Sequence, residues 1–364
     1  MELGHWPTRW SKIAPDKTVI KYGDLSLNWN EFNTRINQAA HAIQAAGMKK
    51  GDRLAVLLGN SNVFLEVFFA AAKLGVIFVP LNFRLSPPEL AYQINETHPK
   101  ILVYAPEFKE LVNALKETCP EVSTWVCETA MGPADELVFE SWIDSSPAAE
   151  PMPDSPVGMD DAVMIMYTSG TTGRPKGAVL SHGNIAWNSI NAQHFNAYKG
   201  HEISLCNAPL FHIGAFNVIA MPFLYAGCRL VLQRFFEPAE ALRLIESEKV
   251  TTMFGVPVMF QLMMNVPRWP DCDLSHVIYF ISGGAPCPPV LIDAYLQKGV
   301  RFVQGYGMTE SAAGVSMLAP QQASNKPGSA GVPLFHLQLA VVGRQGDHLG
   351  PGEIGEIWIK GPNV

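Results

Sequence analysis

The chain is predicted to be an α/β protein with mostly parallel sheets, because strand-like and helix-like segments alternate along it. Residues 53–58 form a short apolar run that ends at a glycine, residues 63–74 have the spacing of a helix, and residues 76–81 form another apolar run. A strand, a helix and a strand in this order indicate a crossover unit of a parallel sheet. Further strand-like runs follow at residues 101–104, 162–167, 229–232, 251–254, 277–281 and 300–303.

Two changes in composition divide the chain. Residues 128–160 contain five prolines among small and acidic residues, which is typical of a surface connection. From Gly331 onward, short strand-like runs alternate with glycines and predict a small β subdomain. We therefore expect one α/β subdomain over residues 1–160, a second over residues 161–330 and the start of a β subdomain over residues 331–364. Because the pattern stops at a strand with an unpaired edge, we expect a C-terminal domain outside this chain.

The bulk composition limits the possible partners. A net charge of -7 gives no general attraction to nucleic acid or to an anionic membrane. The six cysteines are scattered without a C-x-x-C pair, which predicts free thiols and a reducing compartment. Residues 203–228 lack charged side chains, but their prolines and amides do not suit a transmembrane helix. We expect a cytoplasmic protein that is at most peripheral to a membrane, and nothing in the sequence excludes a homodimer.

The most informative segment for function is Tyr167-Thr-Ser-Gly-Thr-Thr-Gly-Arg-Pro-Lys-Gly177. Its small residues allow backbone N–H groups to converge on an anion, while its hydroxyls add donors and Lys176 adds charge. A Walker A loop is excluded, because Lys176 follows a proline and precedes a glycine. From the residues alone, a phosphate-binding loop and a flexible polar turn are both open.

This loop resembles the signature phosphate loop of the adenylate-forming superfamily, which includes acyl-CoA ligases, firefly-type luciferases and the adenylation domains of peptide synthetases. Other segments resemble the family's motifs in the same order: Asn207-Ala-Pro-Leu-Phe-His212, Gly283-Gly-Ala-Pro286 and Gln304-Gly-Tyr-Gly-Met-Thr-Glu310. The resemblance implies the large N-terminal domain of an acyl-CoA synthetase, with two α/β subdomains and the start of a small β-barrel.

The resemblance also implies a role for each motif. Lys176, His212, Thr309 and Glu310 would be catalytic, and Glu310 would hold Mg²⁺. From the residues alone, the default interpretation of His212 is a core histidine and that of Glu310 is a solvated carboxylate. The implied nucleotide-binding residues are Thr168, Ser169, Gly170, Thr171, Thr172, Gly173, Lys176, Gly283, Gly284, Ala285, Pro286, Gln304, Gly305, Tyr306, Gly307 and Thr309. The implied acyl contacts are His212, Phe216, Val256 and Gly305.

The reaction implied by the resemblance converts a carboxylic acid and ATP into an acyl-adenylate and pyrophosphate, after which coenzyme A displaces AMP. Residues 207–227 contain no carboxylate, whereas family members that activate amino acids carry an aspartate there. An ammonium group would remain unpaired in such a site, so an amino acid is disfavoured. The apolar run at residues 253–264, rich in methionine, suits a medium- or long-chain fatty acid, and it equally suits a strand and helix of the core.

Two alternatives stay open: a ligase for an aryl or other non-fatty acid, and a nucleotide-binding fragment without turnover. A serine hydrolase is excluded, because no G-x-S-x-G motif occurs. The resemblance further implies that an aspartate for the ribose and a lysine for adenylation lie beyond residue 364. We therefore expect little ligase activity from this chain by itself.

Overall fold

The structure is a computed structural model that describes residues 2–129, 137–168, 173–323, 325–326 and 328–364. The helices of these residues are α1 His5–Ile13, α2 Trp29–Ala45, α3 Asn62–Leu74, α4 Pro87–Thr97, α5 Lys109–Thr118, α6 Phe139–Asp144, α7 His182–Asn196, α8 Met221–Tyr225, α9 Pro238–Ser247, α10 Pro257–Met264 and α11 Pro289–Gln297. A π-helical segment, Gly214–Ala220, precedes α8, and short 3₁₀ turns lie at Pro106–Phe108, Trp269–Asp271 and Thr309–Ser311.

One sheet of the described residues has seven strands in the order β7-β6-β5-β3-β4-β8-β9. Its pairs are parallel except for the antiparallel hairpin β8–β9. Its strands are β3 Arg53–Leu57, β4 Ile77–Pro80, β5 Ile101–Tyr104, β6 Thr124–Cys127, β7 Leu137–Val138, β8 Ala162–Thr168 and β9 Lys176–Ser181.

A second sheet has nine strands within the same residues, in the order β16-β15-β14-β13-β12-β10-β11-β1-β2. The run from β14 to β1 is parallel, and both ends of the sheet are antiparallel. Its strands are β1 Thr18–Tyr22, β2 Leu25–Asn28, β10 Ile203–Cys206, β11 Arg229–Leu232, β12 Thr252–Gly255, β13 Tyr279–Ser282, β14 Phe302–Met308, β15 Ala313–Leu318 and β16 Val332–Pro333. A separate hairpin pairs β17 Gln338–Val342 with β18 Glu356–Lys360.

The predicted α/β class and parallel sheets are confirmed, but the sheets do not follow the boundary proposed at residue 160. The hairpin β8–β9 belongs to the first sheet, and β1–β2 belongs to the second. Strand β8 pairs with β4 through Phe78 and Met164. Strand pairing between distant segments, rather than chain order, therefore defines the two sheets.

Helix α3 is the most deeply buried helix, since every side chain from Asn62 to Leu74 is buried. Ser61 caps its N-terminus, and Gly75 ends it with a φ of 70°, a conformation that suits glycine. The carboxylate of Glu66 is also buried there, at 2.7 Å from the Arg35 guanidinium. Burial raises the pKa of Glu66, and Arg35 opposes that rise. No helix among the described residues has the length and apolarity needed to cross a membrane.

His182, the first residue of α7, is fully buried, and neither of its ring nitrogens has a hydrogen-bond partner within the part of the chain that the structure describes. Burial lowers its pKa to about 4. The unfolded chain, with an ordinary histidine pKa of about 6.5, binds this proton more readily than the folded chain. His182 therefore does not reduce the free energy of unfolding above about pH 6.5. As the pH falls from about 6.5 towards 4, the free energy of unfolding decreases, because the unfolded chain binds the proton and the folded chain does not.

We expect His182→Leu to reduce this acid sensitivity. Between pH 7 and pH 5, the parent should lose about 2 kcal/mol of folding stability that the variant retains, because leucine has no proton to bind. Thermal unfolding of both proteins across this pH range measures the difference. Parallel curves of Tm against pH for the two proteins would contradict the prediction.

Candidate active site

The carboxyl ends of the parallel strands β10, β12, β13 and β14 meet around a cavity of about 380 Å³. Ligands of open α/β sheets bind outside this edge. Residues from three sequence motifs converge here, although about 90 residues of chain separate His212 from Tyr306. The predicted site residues that line the cavity are His212, Val256, Gly283, Gly284, Gly305, Tyr306 and Gly307.

Most of the cavity wall is apolar. The residues that contribute to it include Ile213, Ala215, Val218, Phe254, Met259, Leu262 and Met317. The ring of Phe254 fills the space between two chain segments, since a Cβ built on Gly214 would lie 2.8 Å from it and one on Gly283 would lie 3.3 Å from it. The cavity therefore suits a ligand in which a compact apolar group lies beside a flat group.

A second cavity of about 600 Å³ adjoins the first, and Phe211 and His212 line both. Its polar lining comes from both sheets and includes Thr168, Gly173, Arg174, Tyr92 and Thr309. Thr168 pairs with Lys176 across the hairpin β8–β9, and the Lys176 side chain is exposed. The predicted phosphate contacts Ser169, Gly170, Thr171 and Thr172 lie outside the described residues.

His212 is positioned to act as a neutral donor where the two cavities meet. Its Nδ1 accepts a hydrogen bond from the backbone N–H of Gly214 at 3.3 Å. This contact leaves the proton of the neutral ring on Nε2. Desolvation lowers the pKa of His212, and the charge of Arg84 lowers it further. Both effects keep the ring uncharged near neutral pH.

Tyr306 and Thr309 lie on one strand and the turn that follows it. Tyr306 is half-buried on β14 and faces the first cavity, whereas Thr309 is 9% exposed and faces the second. Gly307 lies between them at a break in the pairing of β14 with β15, where a Cβ would be only 1.5 Å from the carbonyl oxygen of Ala313. Glycine is therefore required at this position.

Glu310 is exposed in the 3₁₀ turn Thr309–Ser311. Among the described residues, no group of three or more histidine, cysteine, aspartate or glutamate side chains could hold a metal ion. A single carboxylate fits Mg²⁺ only where phosphate oxygens and water provide the other ligands, as is common for this ion. Glu310 is thus compatible with a nucleotide-bound Mg²⁺ and not with a metal held by protein groups alone.

Among the described residues, six predicted site residues line neither cavity: Lys176, Phe216, Ala285, Pro286, Gln304 and Glu310. Phe216 was predicted to contact the acyl group. It is instead fully buried in the core, with its ring centroid 4.8 Å from that of Phe68. The π-helical segment Gly214–Ala220 alters the side-chain spacing, so that Ala215 and Val218 face the cavity and Phe216 faces α3.

Ala313, Gly314 and Met317 also line the first cavity, from β15, and were not predicted from the sequence. They carry no recognisable motif. Their place at the site follows from the antiparallel pairing of β15 with β14, in which Met317 lies opposite Gly305. Only a correct prediction of this pairing register could have found them.

The chain belongs to the AMP-binding enzyme family, which it matches over residues 8–364. This result confirms the predicted adenylate-forming superfamily and places the chain in a family of enzymes. It is 41% identical to a feruloyl-CoA synthase from Amycolatopsis sp. over 362 residues, which cover 100% of this chain and 70% of that protein. It is 33% identical to the long-chain-fatty-acid–CoA ligase FadD13 of Mycobacterium tuberculosis over 340 residues, which cover 93% of this chain and 65% of that ligase.

A solved structure with the same fold is the inhibitor-bound N-terminal domain of FACL13 from Mycobacterium tuberculosis. The two structures align with a TM-score of 0.93 at 31% identity, covering 100% of this chain and 89% of that domain. The predicted fold, the large N-terminal domain of an acyl-CoA synthetase, is therefore confirmed.

Proposed function

We propose that this chain is the nucleotide- and acyl-binding part of an ATP-dependent acyl-CoA ligase whose acid is a compact aromatic carboxylic acid. The observation that carries the proposal is the apolar cavity of about 380 Å³ that ends at His212 and Tyr306. A cavity of about 150 Å³ takes a benzene ring. The larger cavity has room for a substituted aryl group with a short unsaturated chain. The similarity to a feruloyl-CoA synthase supports this choice of acid.

A medium-chain fatty acid is the second candidate. Met259 and Met317 line the cavity, and methionine adapts to flexible alkyl chains. The 33% identity to FadD13 supports the same candidate. An amino acid is a poor candidate substrate. Along the described lining of this cavity the ionisable side chains are Arg84, His212 and Tyr306, and none of them is a carboxylate that could pair with an ammonium group.

In the proposed first step, an oxygen of the acid's carboxylate forms a bond to the α-phosphorus of ATP. The bond from that phosphorus to the bridging oxygen breaks, and pyrophosphate leaves with the electron pair. This transfer depends mainly on positioning and on donors aimed at the developing charge. When bound by Glu310 and the phosphates, Mg²⁺ would supply positive charge to the leaving group.

The chain's own residues would provide the positioning. Tyr306 would stack on the adenine ring, because the neighbouring Gly305 and Gly307 leave its face open to a flat ligand. The Thr309 hydroxyl would donate to the α-phosphate from the second cavity. Neutral His212, with its proton on Nε2, would donate to an oxygen of the acid between the two cavities. In the second step the thiolate of coenzyme A would attack the acyl carbon and AMP would leave.

Binding of acyl-adenylate mimics to this chain tests the choice of acid. We expect the sulfamoyl-linked adenosine that carries a feruloyl group to bind about tenfold or more tightly than AMP, because the aryl group fills the apolar cavity. Isothermal titration calorimetry with the feruloyl mimic, a dodecanoyl mimic and AMP measures the order. Tighter binding of the dodecanoyl mimic would establish the fatty-acid candidate instead, and equal binding of all three ligands would overturn the proposed acyl site.

A pair of valine variants provides the control for this experiment. Val218→Phe places a ring in the cavity and should weaken the feruloyl mimic by about tenfold or more while AMP binding changes little. Val179→Phe makes the same change on β9, where Val179 is 61% exposed and lines neither cavity. It should leave both affinities unchanged.

A further inference from the structure

The turn that follows Glu310 has an unusual backbone conformation. Ala312 has a φ of 51° and Ala313 a φ of 95°, although both residues have a side chain. Positive φ values are unfavourable for residues with a Cβ and persist where the surroundings hold them. The turn Ser311–Gly314 therefore needs external contacts to keep this form.

Three buried asparagines provide these contacts, and we refer to them together as the asparagine clamp. They come from distant parts of the chain: Asn188 from α7, Asn217 from the π-helical segment and Asn363 from the end of the sequence. Their exposed fractions are 1%, 0% and 0%. Their hydrogen bonds to the turn are Asn217 Nδ2 to Ala312 O at 2.6 Å, Gly314 N to Asn188 Oδ1 at 2.9 Å, and Asn363 Nδ2 to Ser311 O at 2.8 Å and to Gly314 O at 3.0 Å.

Asn217 lies in the segment that forms one wall of the acyl cavity, although its own side chain does not line the cavity. Its π-helical segment contributes Gly214, Ala215 and Val218 to the lining, and Ala313 of the turn contributes to the same lining. The Asn188 side chain donates to the backbone carbonyl of Asn217 at 2.5 Å, which ties the segment to the clamp. A displacement of this wall would therefore be transmitted to the turn directly through the Asn217 side chain and also through Asn188, which accepts from the N–H of Gly314.

The other side of the turn faces the residues proposed to bind the nucleotide. The carbonyl oxygen of Ala313 lies against Gly307, where a Cβ would be 1.5 Å away, and Met308 pairs with Ala313 in the sheet. The backbone N–H of Ala312 donates to the carbonyl of Thr309 at 2.9 Å. The form of the turn thus fixes the positions of Tyr306 and Thr309 on either side of Gly307.

We propose that Asn217 is a positioning residue that couples the acyl cavity to the nucleotide site through the turn Ser311–Gly314. The inference rests on the proposed function, because it assumes that the acid and the nucleotide occupy the two sides of this turn. An acid that fits the wall keeps Asn217 on the carbonyl of Ala312 and so keeps Thr309 and Glu310 in place for ATP. Because such coupling is reciprocal, bound nucleotide also favours the wall that accepts the acid.

The central test is Asn217→Ala, which removes the direct hydrogen bond from the wall segment to the carbonyl of Ala312 and leaves only the link through Asn188. We expect the affinity for AMP to fall by about tenfold, because the strained turn relaxes and displaces Thr309. The second substitution Ala313→Gly on this background should restore most of the affinity, since glycine adopts a φ near 95° without a clamp. Calorimetry with AMP measures both effects, and thermal unfolding measures stability separately.

The control is another buried asparagine far from the site. Asn37 is 3% exposed and donates to the carbonyl of Ala148 at 2.8 Å. Asn37→Ala should lower Tm and leave AMP affinity unchanged. If Asn217→Ala is too unstable to purify, Asn217→Leu tests the same contact, because leucine has a similar shape and cannot donate to the carbonyl of Ala312.

An unchanged AMP affinity in the Asn217 variant, or a failure of Ala313→Gly to restore it, would overturn the positioning role. A restored Tm without restored affinity would also do so. The proposed function fails by a different result, which is measured on the parent chain. In that case the parent chain would bind the feruloyl and dodecanoyl mimics no better than it binds AMP. The AMP measurements test the asparagine clamp in either case.

Discussion

Gly307→Ala is expected to abolish measurable nucleotide binding, with a loss of about 100-fold or more in AMP affinity. A Cβ at this position would lie 1.5 Å from the carbonyl oxygen of Ala313, which is backbone and cannot rotate away. Strands β14 and β15 would have to separate, and Tyr306 and Thr309 would move with them. Loss of a base-stacking contact of about 1–3 kcal/mol together with a hydrogen bond to phosphate of about 1.5–3 kcal/mol corresponds to about 100-fold or more in affinity.

Gly305→Ala, two residues away on the same strand, is the matched control for folding. Its Cβ would meet the nearest atoms at 3.6 Å and 3.7 Å, which is ordinary van der Waals contact. We expect Tm to fall by several degrees in Gly307→Ala and to stay close to the parent value in Gly305→Ala. An equal Tm for the two variants, with AMP binding retained in Gly307→Ala, would show that the strand pair adapts.

Arg35→Met is expected to destabilise the protein by about 3–5 kcal/mol, because it leaves a buried carboxylate without its cation. Arg35 contacts Glu66 at 2.7 Å and also contacts Glu140 at 2.6 Å, and the Glu66 side chain is 0% exposed. Urea unfolding at pH 7 measures the loss. The loss of folding stability should become smaller as the pH falls. Burial raises the pKa of Glu66, and a protonated carboxyl group does not need a cation beside it.

The control is an exposed ion pair with the same chemistry. Arg243 and Glu240 are in contact at 2.6 Å, but their side chains are 54% and 40% exposed. Arg243→Met should therefore cost at most about 1 kcal/mol. A similar loss in both variants, or a loss for Arg35→Met that does not depend on pH, would indicate that packing and not the buried charge accounts for the effect.

Several features were predictable because short-range physics determines them. The crossover unit β3–α3–β4 follows from two apolar runs with a helical segment between them, and its bounds agree with the prediction to within a few residues. Gly305, Tyr306 and Gly307 are contiguous in sequence, so one motif located all of them at the cavity. His212 was located in the same way. The roles of these residues remain predictions that the binding experiments test.

Other features depended on contacts between distant segments. Phe216 and Phe254 are both aromatic residues in apolar runs, yet Phe216 packs against α3 and Phe254 lines the cavity. The π-helical spacing around Phe216 causes this difference, and no residue of the segment Gly214–Ala220 indicates from sequence that a π-helix forms there. The hairpin β8–β9 was assigned to the second subdomain from chain order, but its pairing with β4 places it in the first sheet.

The sequence by itself determined the adenylate-forming family, the α/β class and the motif residues that surround the cavity. These properties depend on local residue patterns, which are read along the chain. Only the tertiary structure decided the shape of the acyl cavity, the requirement for glycine at position 307 and the asparagine clamp. Asn188, Asn217 and Asn363 are unremarkable polar residues in sequence. They become a single unit because folding buries all three around one strained turn, where their side chains bond to the carbonyls of Ser311, Ala312 and Gly314 and to the N–H of Gly314.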